Sequence, residues 1–136
     1  MPDHDDIVLW SSGPSPDTVA ATLRGARAAG CIGDTATSVI VHDVGLMLRR
    51  WASLRAAFPS TTLHGIAVKA NPLVEVLRVL VDAGAGLEAA SIEELELAVA
   101  AGCPGEHIVF DSPAKTDLEL ARALERRLEE DLEDLN

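Results

Sequence analysis

The sequence predicts an α/β fold with parallel strands, and three observations carry that prediction. Between residues 66 and 128, short apolar runs alternate with stretches of helical periodicity three times over. Each helical stretch opens on a turn or capping signal, at Asn71-Pro72, at Ser91 with Glu94, and at Thr116 with Glu119. Strands separated by helices of this length pair in parallel, because a parallel neighbour is reached only through a crossover.

The elements follow in order. Ser15-Pro16-Asp17 offers an N-cap and a proline at the first helical position, and Gly30 stops the Ala-rich stretch behind it, so a short first helix is expected. Val39-Ile40-Val41 is a compact β-branched run. Asp43 then caps a helix in which Met47, Trp51, Leu54 and Phe58 recur at spacings of four, three and four, ending at Phe58-Pro59. Ile66-Ala67-Val68 forms the first strand of the repeat. Asn71-Pro72 opens its helix, which carries Leu73, Val76, Leu77, Leu80 and Val81 and closes at Gly84. Gly86-Leu87-Glu88-Ala89-Ala90 is the second strand, and the capping box Ser91-Ile92-Glu93-Glu94 starts a helix that ends near Gly102. His107-Ile108-Val109-Phe110 is the third strand, followed by the Thr116 and Glu119 box and a helix through Leu120, Leu124 and Leu128.

Composition limits what such a fold does. The 136 residues, 48% of them hydrophobic, suffice for one modest globular domain, and no apolar run is long enough to span a bilayer. Met1-Pro2-Asp3-His4-Asp5-Asp6 lacks the basic start and apolar stretch of a secretory signal. Cys31 and Cys103 have no paired spacing, which argues against a disulfide framework or a zinc ribbon and fits a reducing cytosol. No metal site is expected, and both cysteines read as buried or half-buried. Twenty-two acidic against eleven basic side chains give a net charge of -11, which repels nucleic acid. The acid clusters at Asp3 to Asp6 and Glu129 to Asp134 read as solvated ends.

Pattern alone leaves an open doubly wound sheet and a β/α barrel as alternatives. In both, the loops after the strands gather on one face, where chemistry is usually found. Lys69, Glu88 and Asp111 lie at or near those strand ends and are expected to converge on one rim. Lys69 is one of two lysines, with Lys115. A lysine partly desolvated at such a site has a lowered pKa, and its neutral amine can form a Schiff base with an aldehyde. Position alone equally allows a lysine that caps the strand end or pairs with Glu88.

Ala67-Val68-Lys69-Ala70-Asn71-Pro72 resembles the cofactor-lysine motif of the fold-type III pyridoxal-phosphate enzymes, which include ornithine, diaminopimelate and arginine decarboxylases and alanine racemase. Gly86-Leu87-Glu88-Ala89-Ala90-Ser91-Ile92-Glu93-Glu94-Leu95 resembles the second-strand motif of the decarboxylases. Ile108-Val109-Phe110-Asp111-Ser112-Pro113-Ala114-Lys115 resembles their third-strand motif. Val39-Ile40-Val41-His42-Asp43 is similar to the segment that precedes the barrel. The racemase branch fits less well, because Pro72-Leu73-Val74-Glu75 stands where a Tyr-Gly-His-Gly run is usual.

This resemblance implies a partial β/α barrel, TIM-type and alanine-racemase-like, truncated after about three βα units. A whole barrel takes about 250 residues. It implies pyridoxal 5'-phosphate as cofactor, held as a Schiff base on Lys69 with Glu88 beside it, and decarboxylation of an amino acid of ornithine or diaminopimelate type. Ser91 and Glu94 match positions near that site, where capping explains them first, and Lys115 matches a family lysine for which a structural ion pair is expected. Ile66 stands where the family often has an aromatic residue. The expected organisation is an N-terminal helical extension over 1–35, the partial cofactor-binding barrel over 36–125 and an acidic helical tail over 126–136. In the tail, leucines at 124, 128, 132 and 135 form a stripe, and the sequence reads as a truncated chain ahead of the alternative, an ending that covers an open sheet edge or drives association. A cytoplasmic homodimer, or association with a complementary chain, is expected. The alternatives are a non-catalytic decarboxylase-like regulatory protein and a small pyridoxal-phosphate carrier.

Overall fold

A computed structural model describes residues 14–36, 38–112 and 114–133, with side chains through residue 125. The chain divides into two compact units, Met1–His42 and Asp43–Asn136.

In the first unit, α1 spans Pro16–Ala28. Ser15 caps it as the sequence predicts: its hydroxyl accepts from the Thr18 backbone N–H at 3.2 Å. Gly30 takes φ 73°, the left-handed conformation that closes a helix at little cost to glycine. Cys31 is exposed, contrary to the expected burial, because it lies in the bends beyond that stop. The β-branched run Val39–Val41 has no regular secondary structure, and Ile40 is 83% exposed. High strand propensity does not suffice when no neighbour supplies a ladder.

The second unit begins with α2, Val44–Ala56, capped by Asp43, whose Oδ1 accepts from the Leu46 N–H at 2.7 Å. Of the four residues on its expected apolar face, Trp51 is buried and Met47 half-buried, whereas Leu54 and Phe58 are exposed. The helix ends at Ala56, so Phe58 has left its register.

Three parallel strands follow, β1 (Gly65–Ala67), β2 (Gly86–Ala89) and β3 (Ile108–Phe110), in spatial order β1-β2-β3. Ile66, Leu87 and Ile108 lie in register, as do Ala67, Glu88 and Val109. The crossover helices are α3, Val74–Asp82, and α4, Ile92–Ala100; α5, Asp117–Glu133, follows β3. Right-handed crossovers in strictly sequential order put α3 and α4 on the same face of the sheet. That is the winding of a barrel wall, which one half of a doubly wound sheet shares.

The side-chain alternation of the strands gives each face its character. Leu87 on the helix side is fully buried and packs with Val68, Leu77, Ala98, Ala101 and Cys103, against which Ile66 and Ile108 also lie. Trp51, Leu80 and Ala85 form a smaller cluster beneath α2. The other face carries Gly65, Glu88 and Val109, and Val109 is 43% exposed. Gly86 permits close strand approach: a Cβ there would stand 2.6 Å from the His107 carbonyl oxygen.

Candidate functional site

Lys69 owes its position to the residue before it. Beyond β1 the backbone tightens into a single 3₁₀ turn, Val68–Ala70, closed by the Asn71 N–H donating to the Val68 carbonyl at 3.1 Å. Val68 has no solvent exposure and is locked among Leu77, Leu87 and Ala98. With Val68 held inward, the next side chain is thrown outward at the C-terminal end of the sheet. Lys69 is accordingly 62% exposed. This corrects the expectation of a partly desolvated amine, because Lys69 occupies the turn beyond the strand and Val68 takes the buried place. Sequence reading treated Val68 only as the last strand residue. Its period-two relation to Ile66 is the signal that it shares the core face.

Glu88 stands on the central strand, two positions before the turn that leads to α4, with its side chain 22% exposed. Its Oε1 lies 3.7 Å from Lys69 Nζ. That distance is an ion-pair contact and too long for a direct hydrogen bond. With the ammonium largely in water, such a pair contributes at most about 1 kcal/mol, so it orients the two groups more than it holds the fold. Asp111 stands at the end of β3, where its backbone N–H extends the ladder to the Ala89 carbonyl at 2.8 Å. Its carboxylate is exposed and, among the described residues, forms no ion pair with Lys69. All three expected groups stand at the C-terminal ends of the strands, and Lys69 and Glu88 are the two in contact.

The turn after β2 is fixed by the expected capping residues. Ser91 Oγ accepts from the Glu94 N–H at 3.3 Å, and Glu94 Oε2 accepts from the Ala90 N–H at 2.8 Å, one residue earlier than the usual reciprocal arm. Glu93 joins this turn: hydrogen bonds from its own backbone N–H and from the Ser91 hydroxyl hold its carboxyl below the usual carboxylate range. Lys115 has a structural role through partners other than the expected ion pair. Its Nζ donates to the Ser112 carbonyl at 3.2 Å and lies 5.7 Å from the centre of the Phe110 ring. Within this arrangement Lys69 Nζ is the exposed primary amine that can attack a carbonyl carbon. Glu88 is the carboxylate that stands beside it.

Comparison with known proteins gives this geometry a context. Residues 44–133 match the family model described as pyridoxal-dependent decarboxylase, pyridoxal binding domain. The amino acid decarboxylase lolD1 of Epichloe uncinata is 37% identical over 89 residues, 64% of this chain and 21% of that protein. A diaminopimelate decarboxylase of Bacillus subtilis is 38% identical over 95 residues, 68% of this chain and 22% of that protein. The chain therefore spans about a fifth of the length of these relatives. Among solved structures, diaminopimelate decarboxylase from Helicobacter pylori complexed with L-lysine superposes with a TM-score of 0.61 at 26% identity, covering 67% of this chain and 24% of that one.

Proposed function

The chain belongs to the pyridoxal-dependent decarboxylase family through its pyridoxal-binding domain, and from that membership we propose that Lys69 Nζ holds pyridoxal 5'-phosphate for the decarboxylation of an amino acid. The observation that carries this reading is an outward-facing primary amine at the C-terminal end of a parallel strand with a carboxylate oxygen 3.7 Å away. The residues present fit the cofactor: an accessible amine meets its aldehyde, and only Gly65 and the small Ala67 flank Glu88 on its β1 side. When bound, the cofactor supplies the electron sink that decarboxylation requires.

The residues of this chain have distinct tasks. Lys69 anchors, Val68 fixes the anchor's direction, and Glu88 holds a proton at the Lys69 nitrogen. Ser91 and Glu94 keep the end of β2 in place and thereby keep Glu88 facing Lys69. The names of the diaminopimelate decarboxylases, and of a probable ornithine decarboxylase of Dictyostelium discoideum 35% identical over 85 residues, support a substrate of the diaminopimelate or ornithine type. The outer edges of β1 and β3, unpaired among the described residues, support a working form in which a second copy or a complementary chain completes the sheet. Among the described residues no helix is long and apolar enough to cross a membrane, and both cysteines are free thiols, which supports a cytoplasmic setting.

The test combines binding with turnover. Titrating the chain with pyridoxal 5'-phosphate is expected to give a new absorbance band that Lys69→Ala abolishes and Lys115→Ala retains. Adding diaminopimelate or ornithine is expected to release carbon dioxide once the sheet has its partner. A band unaffected by Lys69→Ala contradicts the anchoring role, whereas a Lys69-dependent band without carbon dioxide under any pairing contradicts the decarboxylation.

A further inference from the structure

At the opposite end of β1 from Lys69, the second unit contains an open cavity of about 640 Å³ between the C-terminal half of α2, the following loop and the end of α3. This volume lies in the range of small-molecule sites. Its apolar walls include the rings of Trp51 and Phe58, and His64 meets both edge-on, with centroid separations of 5.6 Å and 5.1 Å. Its polar groups are the Arg55 guanidinium, the His64 imidazole and the hydroxyls of Ser60 and Thr62. Among the described residues no aspartate or glutamate lines it, although the chain carries twenty-two acidic residues and a net charge of -11.

The cavity is also anchored. Trp51 Nε1 donates to the Ala83 carbonyl at 2.9 Å, and Arg55 Nη1 donates to the same oxygen at 3.1 Å. That carbonyl belongs to the residue capping the end of α3, so the two donors tie α2 to α3 and fix the cavity's inner wall. Arg55 spends one of its five N–H donors on this bond, and its guanidinium carbon stands 6.0 Å from the Trp51 ring centre. The planar fork is thereby oriented at an aromatic wall, with donors left over for a carboxylate.

We propose that this cavity is a second binding site, distinct from the Lys69 rim, for a small carboxylate bearing an aromatic or branched apolar body. The apolar body lies against Trp51 and Phe58, and the carboxylate accepts from Arg55 and the neighbouring hydroxyls. The absence of acidic lining makes this recess attractive to an anion that the rest of the chain repels.

Trp51 is its own reporter once the other tryptophan is removed. In a Trp10→Phe background the full chain is titrated with phenylacetate, and with neutral phenylacetamide as the matched control, following Trp51 fluorescence. Saturable change with phenylacetate is expected, with the amide about tenfold weaker, the worth of one charge-assisted hydrogen bond at a partly exposed site. Arg55→Gln is expected to erase the preference for the acid, Phe58→Ala to weaken both probes, and Lys69→Ala to leave the response intact. Circular dichroism of each variant separates loss of binding from loss of fold. Equal binding of acid and amide, no saturable response, or a response lost in Lys69→Ala would each overturn the proposal.

Discussion

Lys69 and Glu88 form a pair whose importance is chemical. Because the ion pair is solvent-screened, Glu88→Gln is expected to change unfolding free energy by less than about 1 kcal/mol in urea titration while markedly weakening cofactor retention. A large loss of stability would instead make Glu88 a structural residue. Val68 behaves in the opposite way. It has no exposure and packs against Leu77 and Leu87, so Val68→Ala removes two methyl groups from a filled core and is expected to cost about 2 kcal/mol. It is also expected to reduce labelling of the intact Lys69 amine, because the turn that aims the amine loses its anchor.

The elements hold together through local caps and one tight strand approach. Gly86→Ala would place a methyl group 2.6 Å from the His107 carbonyl oxygen and 2.9 Å from Leu63 Cδ1. Overpacking of this kind costs roughly 1–3 kcal/mol, and the urea midpoint is expected to fall accordingly. At α5, the Thr116 N–H donates to Glu119 Oε2 at 2.7 Å and the Glu119 N–H to Thr116 Oγ1 at 3.2 Å. The bond from the Thr116 backbone first, and one that the Thr116 hydroxyl donates to Glu119 Oε2 at 2.9 Å second, hold the Glu119 carboxyl below its ordinary value of 4.5. A carboxylate with a lowered folded value stabilises fully above the unfolded value and loses that contribution as pH falls through the folded one. The protection factors of the first-turn amides of α5, which divide out the intrinsic pH dependence of exchange, are therefore expected to be higher at pH 6 than below the ordinary carboxylate range, and Thr116→Ala is expected to flatten that difference. The caps at Ser15, Asp43, Ser91 and Thr116 were readable in the sequence because a cap joins residues three apart. The strands were readable to within a residue or two because burial imposes their alternation. The solvent exposure of Val39–Val41 and the cavity beside Trp51 were not, since each depends on residues distant in sequence; the outward turn at Lys69 and the Ser112 carbonyl partner of Lys115 are local, but set by turn geometry that propensity does not reveal.

The second unit is a wall of parallel strands with helices on one side and, among the described residues, two unpaired outer edges. Such edges template pairing with another chain. A net charge of -11 opposes it, and salt screens that repulsion. Mass by light scattering is expected to exceed that of one chain and to rise with salt, and Val109→Lys, which puts a charge on the outer strand β3, is expected to lower it. A monomer at every salt concentration would mean that the edges are protected.

The attachment of the cofactor to one particular amine can be read directly. The full chain is incubated with pyridoxal 5'-phosphate, reduced with borohydride, digested and mapped by mass spectrometry. The phosphopyridoxyl group is expected on Lys69, with Lys115 and the N-terminal amine unmodified at the same cofactor concentration. A label confined to Lys115 or the N-terminus, with Lys69 unmodified, would contradict the assignment of Lys69 as the cofactor's anchor.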